Sequence, residues 1–204
     1  GGILGTLSGG NPTLKCFSAD CTVSPSGSSS AESVGGIVGY VCGSQNSITE
    51  CVFKGILNSN GGQYAGGIIG LVDYDGYNDV GTVQDCINFG EITGGQATGG
   101  IIGRMKVRSG TYVNYCVTAY RTTHGGVIGT GNVGGIIGWV DNASYFYVKG
   151  CANYATVSSN GSDAVGGIVG RLYGPHSYVR NSVNNGQVTG TGKYMAGIIA
   201  KYGV

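Results

Sequence analysis

A five-residue anchor, Gly-Gly-Ile-(Ile/Val)-Gly, returns along the whole chain. It reads Gly35-Gly36-Ile37-Val38-Gly39 and Gly66-Gly67-Ile68-Ile69-Gly70, and it recurs from Gly99, Gly134 and Gly166. Gly1-Gly2-Ile3-Leu4-Gly5 is a variant copy, and Ala196-Gly197-Ile198-Ile199-Ala200 a degenerate one. Anchors therefore begin at 1, 35, 66, 99, 134, 166 and 196, at spacings of 30 to 35 residues. A period of that size marks a solenoid, propeller or array, in which no unit buries its apolar face alone and stacking builds the core.

A second cassette lies between anchors: apolar-x-x-Cys-apolar, often followed by Asn-x-Gly. Val83-Gln84-Asp85-Cys86-Ile87-Asn88-Phe89-Gly90 and Val148-Lys149-Gly150-Cys151-Ala152-Asn153-Tyr154-Ala155 are the clearest copies. Thr13 to Asp20 is the weakest, and in Val179 to Gly186 Ser182 stands where the cysteine would be. A short strand-like piece such as Glu91-Ile92-Thr93 follows, then a Gly/Ser/Asn turn. The apolar runs are short, β-branched and bounded by turn residues, and no window shows a 3.6-residue stripe. The expectation is an all-β fold, a parallel (right-handed) β-helix or solenoid of about six rungs with three short strands per repeat. Residues 1–204 form one repeat domain, read as a section of a larger surface protein. A propeller blade needs four strands and a longer repeat, which makes it second choice.

Composition narrows the function. Glycine supplies 43 of 204 residues, yet only 3 prolines accompany it and no Gly-X-Y period appears, so collagen is excluded. Charged residues are 10% of the chain with a net charge of +1, which predicts no electrostatic capture of nucleic acid or of an anionic membrane. No apolar run is long enough for a membrane-spanning helix, and no signal-peptide pattern is visible.

The repeat assigns columns. Ile37, Ile68, Ile101, Ile136, Ile168 and Ile198 share one register and are placed inward, together with Val41, Val72, Met105, Val140 and Leu172. Val38, Ile69, Ile102, Ile137, Val169 and Ile199 have the opposite parity. They form either an exposed apolar stripe, which marks an interaction surface, or a second buried column around a bend. Cys16, Cys51, Cys86, Cys116 and Cys151 are read as one stacked column of buried free thiols, because in-register parallel strands point their Cβ vectors alike and disfavour disulfides. Asn88, Asn153 and Asn184 are either a hydrogen-bonded ladder or solvated turn residues.

Candidate ligand contacts are aromatic. Tyr74, Tyr77, Tyr112, Trp139, Tyr145, Tyr147, Tyr173 and Tyr178 lie in or beside the segments that follow the anchors, which a solenoid stacks along one edge. Rings with polar tips suit glycans or proteins, or else they cap the core edge. Asp73, Asp75 and Asp79 alternate around Gly76 as oxygen ligands of Ca²⁺ do, or they belong to a solvated loop; no other cofactor is expected. Zinc peptidase chemistry lacks its His-Glu-x-x-His, since His124 is followed by Gly125-Gly126. The acids are otherwise scattered, which argues against a polysaccharide lyase or hydrolase, the runner-up function.

The motifs Gly36-Ile37-Val38-Gly39, Gly67-Ile68-Ile69-Gly70, Gly100-Ile101-Ile102-Gly103, Gly135-Ile136-Ile137-Gly138 and Gly167-Ile168-Val169-Gly170 resemble the tandem GLUG repeat, with isoleucine in place of its leucine. That repeat occurs in bacterial surface proteins, including adhesin-like proteins and the non-catalytic part of IgA-specific metallopeptidases. The resemblance implies a secreted, cell-surface bacterial module with an adhesive or spacer role and names no ligand; the scattered acids and the missing peptidase motif make the expectation a module without enzymatic activity. It would bind a host or extracellular-matrix glycan or protein, or serve as a display stalk for neighbouring domains.

Overall fold

A computed structural model describes residues 1–26, 32–74, 81–108, 110–120, 125–141, 144–161 and 163–203. They form no helix, and every strand pairing is parallel. The strands stack into five ladders, one of seven strands and four of six, each strand pairing with its equivalent one repeat away. This is the expected β-solenoid. The three strand regions of a repeat make five ladders because two of them are bent in half. The anchor folds at its second glycine and isoleucine, giving for example Ser33–Gly35 and Val38–Cys42. The cassette folds beside its cysteine, giving Ser47–Thr49 and Val52–Phe53, and Ile56–Asn58 completes the turn.

The anchor bend explains the glycines. A Cβ on Gly67 would lie 2.3 Å from the Gly100 carbonyl oxygen and 2.6 Å from the Asn88 side chain, and one on Gly135 would lie 2.1 Å from the Gly167 oxygen. No side chain fits between turns packed that closely. The same bend turns both apolar columns inward. Ile37 and Val38 are fully buried, and so are the matching pairs in the next four anchors. The second column is therefore core, not an exposed stripe.

The cassette bend uses left-handed backbone at Glu50, Asp85, Tyr115, Gly150 and Asn181, each just before the cysteine position. Cys51, Cys86, Cys116 and Cys151 stack there as buried free thiols, each donating to the carbonyl two residues earlier. Ser182 donates to the Arg180 carbonyl in the same way. Enclosure in the apolar core pushes the Cys116 thiol well above its ordinary range. One column member was misplaced. Lys15 pairs with Thr49 and Ser18 with Val52, so Cys16 aligns with Glu50 and Phe17 takes the cysteine position. Cys16 is exposed and donates to the Glu50 carboxylate at 3.1 Å.

The asparagines are structural. Asn88 and Asn153 are fully buried, and each bonds both the N–H and the carbonyl of the residue two places on. Asn153 also donates to Asn184 at 2.8 Å, the single ladder step the two share.

Candidate functional site

The cassette's first segment shows one face to the core and one outward. Leu14, Ile48, Val83, Val113, Val148 and Val179 form its inner column. The residues before them form an outer column, Thr13, Ser47, Thr82, Tyr112, Tyr147 and Tyr178. The residues after them form a second outer column, Lys15, Thr49, Gln84, Asn114, Lys149 and Arg180.

Over the last three turns the first column becomes a stack of rings. Tyr112 and Tyr147 lie 5.2 Å apart with planes 9° from parallel, and Tyr147 and Tyr178 lie 5.5 Å apart at 21°. Beside them the Arg180 guanidinium sits 4.5 Å from the Tyr178 ring centre, and the Lys149 ammonium 5.9 Å from that of Tyr115. The three stacked tyrosines, Lys149 and Arg180, together with Asn114 and Asn181, line a shallow cleft of about 530 Å³. Among the described residues, its lining contains no carboxylate. Two places before the tyrosine column, Tyr145 stacks on His176 with centres 5.1 Å apart, and both hold left-handed backbone.

The other sequence candidates separate from this face. Tyr74 is enclosed in the core at 1% exposure, so the surface band does not include it. Trp139 lies in the longest ladder, its ring between the guanidinium groups of Arg104 at 4.2 Å and Arg171 at 4.8 Å. Arg104 also donates to the Tyr64 hydroxyl and pairs with Asp141 at 2.6 Å, so Trp139 belongs to a side-chain clasp rather than to the tyrosine stack. Tyr173 is exposed at the end of its strand, Val169–Tyr173. Tyr77, Asp75 and Asp79 lie outside the described residues. Asp73, the remaining calcium candidate, pairs with Lys106 at 3.3 Å, and among the described residues no three metal-ligating side chains converge.

No family model matches the chain, and no curated protein matches it significantly. Among solved structures, the chain is similar to the crystal structure of "a putative immunoglobulin A1 protease" from Bacteroides ovatus, with a TM-score of 0.61 and 23% identity over 97% of this chain. The chain spans 65% of that protein's length. At that identity the likeness is one of fold. No helix among the described residues is long and apolar enough to cross a membrane.

The basic half of the face was overlooked in the sequence, although its signal is plain in retrospect. Tyr112-Val113-Asn114, Tyr147-Val148-Lys149 and Tyr178-Val179-Arg180 repeat Tyr-Val-x, and alternation along a strand sends the first and third residues to the same side. Tyr115 was missed because its ring leaves the bend, where alternation breaks.

Proposed function

We propose that this chain is a non-enzymatic binding module of a bacterial cell-surface protein, adhesin-like, with the tyrosine ladder and its basic flank as the contact face. One observation carries the reading. The same outward position is filled by Thr13, Ser47 and Thr82 in turns with the same backbone pairing, so the fold does not require rings there. Three exposed or half-exposed tyrosines in consecutive turns are an addition to a structure complete without them. Aromatic side chains with polar tips are common anchors of binding surfaces. The cleft's lack of carboxylates supports binding over glycoside chemistry, which needs an acid pair. The GLUG-like anchors support extracellular display.

A glycan array and a panel of immobilised matrix proteins test the proposal, run with the native chain and with the triple variant Tyr112→Thr, Tyr147→Ser, Tyr178→Thr. Binding that the triple variant loses while its far-ultraviolet spectrum is retained supports the reading. Binding that survives the triple change moves the site elsewhere. A native chain silent on every surface would instead make the rod a display stalk.

A further inference from the structure

Resting on that reading, we infer that the ladder's ligand is an extended acidic glycan, carrying carboxylate or sulfate groups and lying along the rod axis. The argument starts from which part of each ring is available. Tyr112, Tyr147 and Tyr178 are stacked nearly parallel, so they turn their faces toward one another. What the stack offers outward is ring edges and phenol hydroxyls. A ring's edge is the positive part of its quadrupole, and a hydroxyl can donate. The flanking column adds the Asn114 amide, the Lys149 ammonium and the Arg180 guanidinium, all donors. Among the described residues neither Lys149 nor Arg180 has an ion-pair partner. The face is thus rich in donors and positive edges, which complements acceptor oxygens and negative charge.

The wider charge distribution agrees. Residues 111–204, which carry the last three turns of the face, hold Arg121, Lys149, Arg171, Arg180, Lys193 and Lys201 against Asp141 and Asp163, although the whole chain is nearly neutral. The first half of the same face carries acids instead. Glu50 is bound to Lys15 at 3.1 Å, and Asp85 accepts from Gln84 at 2.9 Å. An anionic polymer is therefore drawn to the last three turns and discouraged from the first three.

Two features favour a glycan over other polyanions. Single-stranded nucleic acid binds by stacking bases on free aromatic faces, and here the rings cover one another. The cations are also sparse. Lys149 and Arg180 stand in adjacent turns and Asn114 in the turn before them, so the column mixes charged with neutral donors, which suits a sugar chain bearing both acidic groups and hydroxyls. The sugar hydroxyls would meet the phenol hydroxyls and Asn114.

Titration calorimetry with a hyaluronan decamer, its carboxyl-reduced form, heparin-derived decamers, a neutral cello-oligosaccharide, oligo-dT and poly-glutamate tests this at two ionic strengths. The expected result is binding to hyaluronan or heparin oligosaccharides that weakens with salt. Lys149→Gln and Arg180→Gln should each weaken it roughly tenfold, and Tyr147→Ser at least as much. Circular dichroism of each variant separates this from unfolding. Equal affinity for the carboxyl-reduced or neutral glycan, unchanged in Lys149→Gln and Arg180→Gln but lost in Tyr147→Ser, overturns the acidic ligand while leaving the ladder as a site. Preference for oligo-dT or poly-glutamate overturns the glycan. Acidic-glycan binding that Tyr147→Ser leaves intact defeats the ladder itself. No binding to any probe overturns the acidic-glycan inference, whereas the array and matrix-protein panel decide separately whether the module binds at all.

Discussion

The first and last three turns of the cassette face share a backbone and differ in almost everything they show to solvent. Both halves pair in one parallel register and bury a β-branched or leucine column. Outside, the first half presents Thr13, Ser47 and Thr82 with Glu50 and Asp85 at the bend. The second presents three stacked tyrosines, with Tyr115, Gly150 and Asn181 at the bend. The contrast divides the sequence into two kinds of requirement. Inward residues and bend glycines are dictated by stacking and recur in both halves. Outward residues are released from that demand, and they diverge into an aromatic, basic surface on one half alone.

The largest expected effects concern what the halves share. Gly67→Ala and Gly135→Ala should each destabilise the rod by about 3 kcal/mol, because the new Cβ meets a backbone oxygen of the next turn and a buried asparagine side chain held by its own hydrogen bonds. Urea denaturation followed by circular dichroism measures both. Similar losses confirm one architecture; a cost confined to one half would break the comparison at its base. Next, Asn88→Ala and Asn153→Ala should each cost about 2 kcal/mol, since each leaves a buried backbone N–H and carbonyl without the side chain that bonds them. The Asn153 change should be the larger because it also abandons Asn184.

Those shared features are also what could be read in advance. The anchor spacing, the parallel ladders and the buried cysteines follow from a period that stacking must honour. What escaped was orientation at bends. Alternation predicts sides only within a continuous strand, and here the anchor breaks at Gly36-Ile37 and the cassette before Cys51. That is why alternation left the Val38 column open between core and surface, and why Cys16 was set one place out of register; Trp139 was grouped with the tyrosine stack although its strand belongs to a different ladder. The acidic loop candidates had no repeat partner in other turns to calibrate them.

Effects on what the halves do not share should be small for stability. Tyr147→Ser should cost about 1–2 kcal/mol, because it ends both of the surface ring pairs that Tyr147 makes, while removing the binding proposed for this face. The reciprocal change sharpens the point. Thr82→Tyr places a fourth ring in register with Tyr112 and should stabilise by up to about 1 kcal/mol. A strongly destabilised Tyr147→Ser variant, by urea denaturation, would make the ladder part of the scaffold and remove the reason for reading it as a site.

The smallest effect tests the acidic half. Cys16 and Glu50 occupy matching bend positions in the first two turns, and Lys15 completes the cluster. The hydrogen bond to the Glu50 carboxylate raises the Cys16 thiol above its ordinary range, with the nearby negative charge acting in the same direction. A raised thiol holds less thiolate at a given pH, and thiolate is the form that reacts. Alkylation of Cys16 near pH 8 should therefore be slower than that of a free thiol, and Glu50→Gln should speed it several-fold. Peptide mass mapping after brief iodoacetamide treatment isolates Cys16 from Cys21 and Cys42, which are also reachable, while the four stacked thiols stay protected in the folded rod. An unchanged Cys16 rate in Glu50→Gln would mean the carboxylate does not act on its neighbour in solution. The acidic character assigned to the first half would then rest on Asp85 alone, and the electrostatic contrast between the halves would shrink to the presence or absence of Lys149 and Arg180.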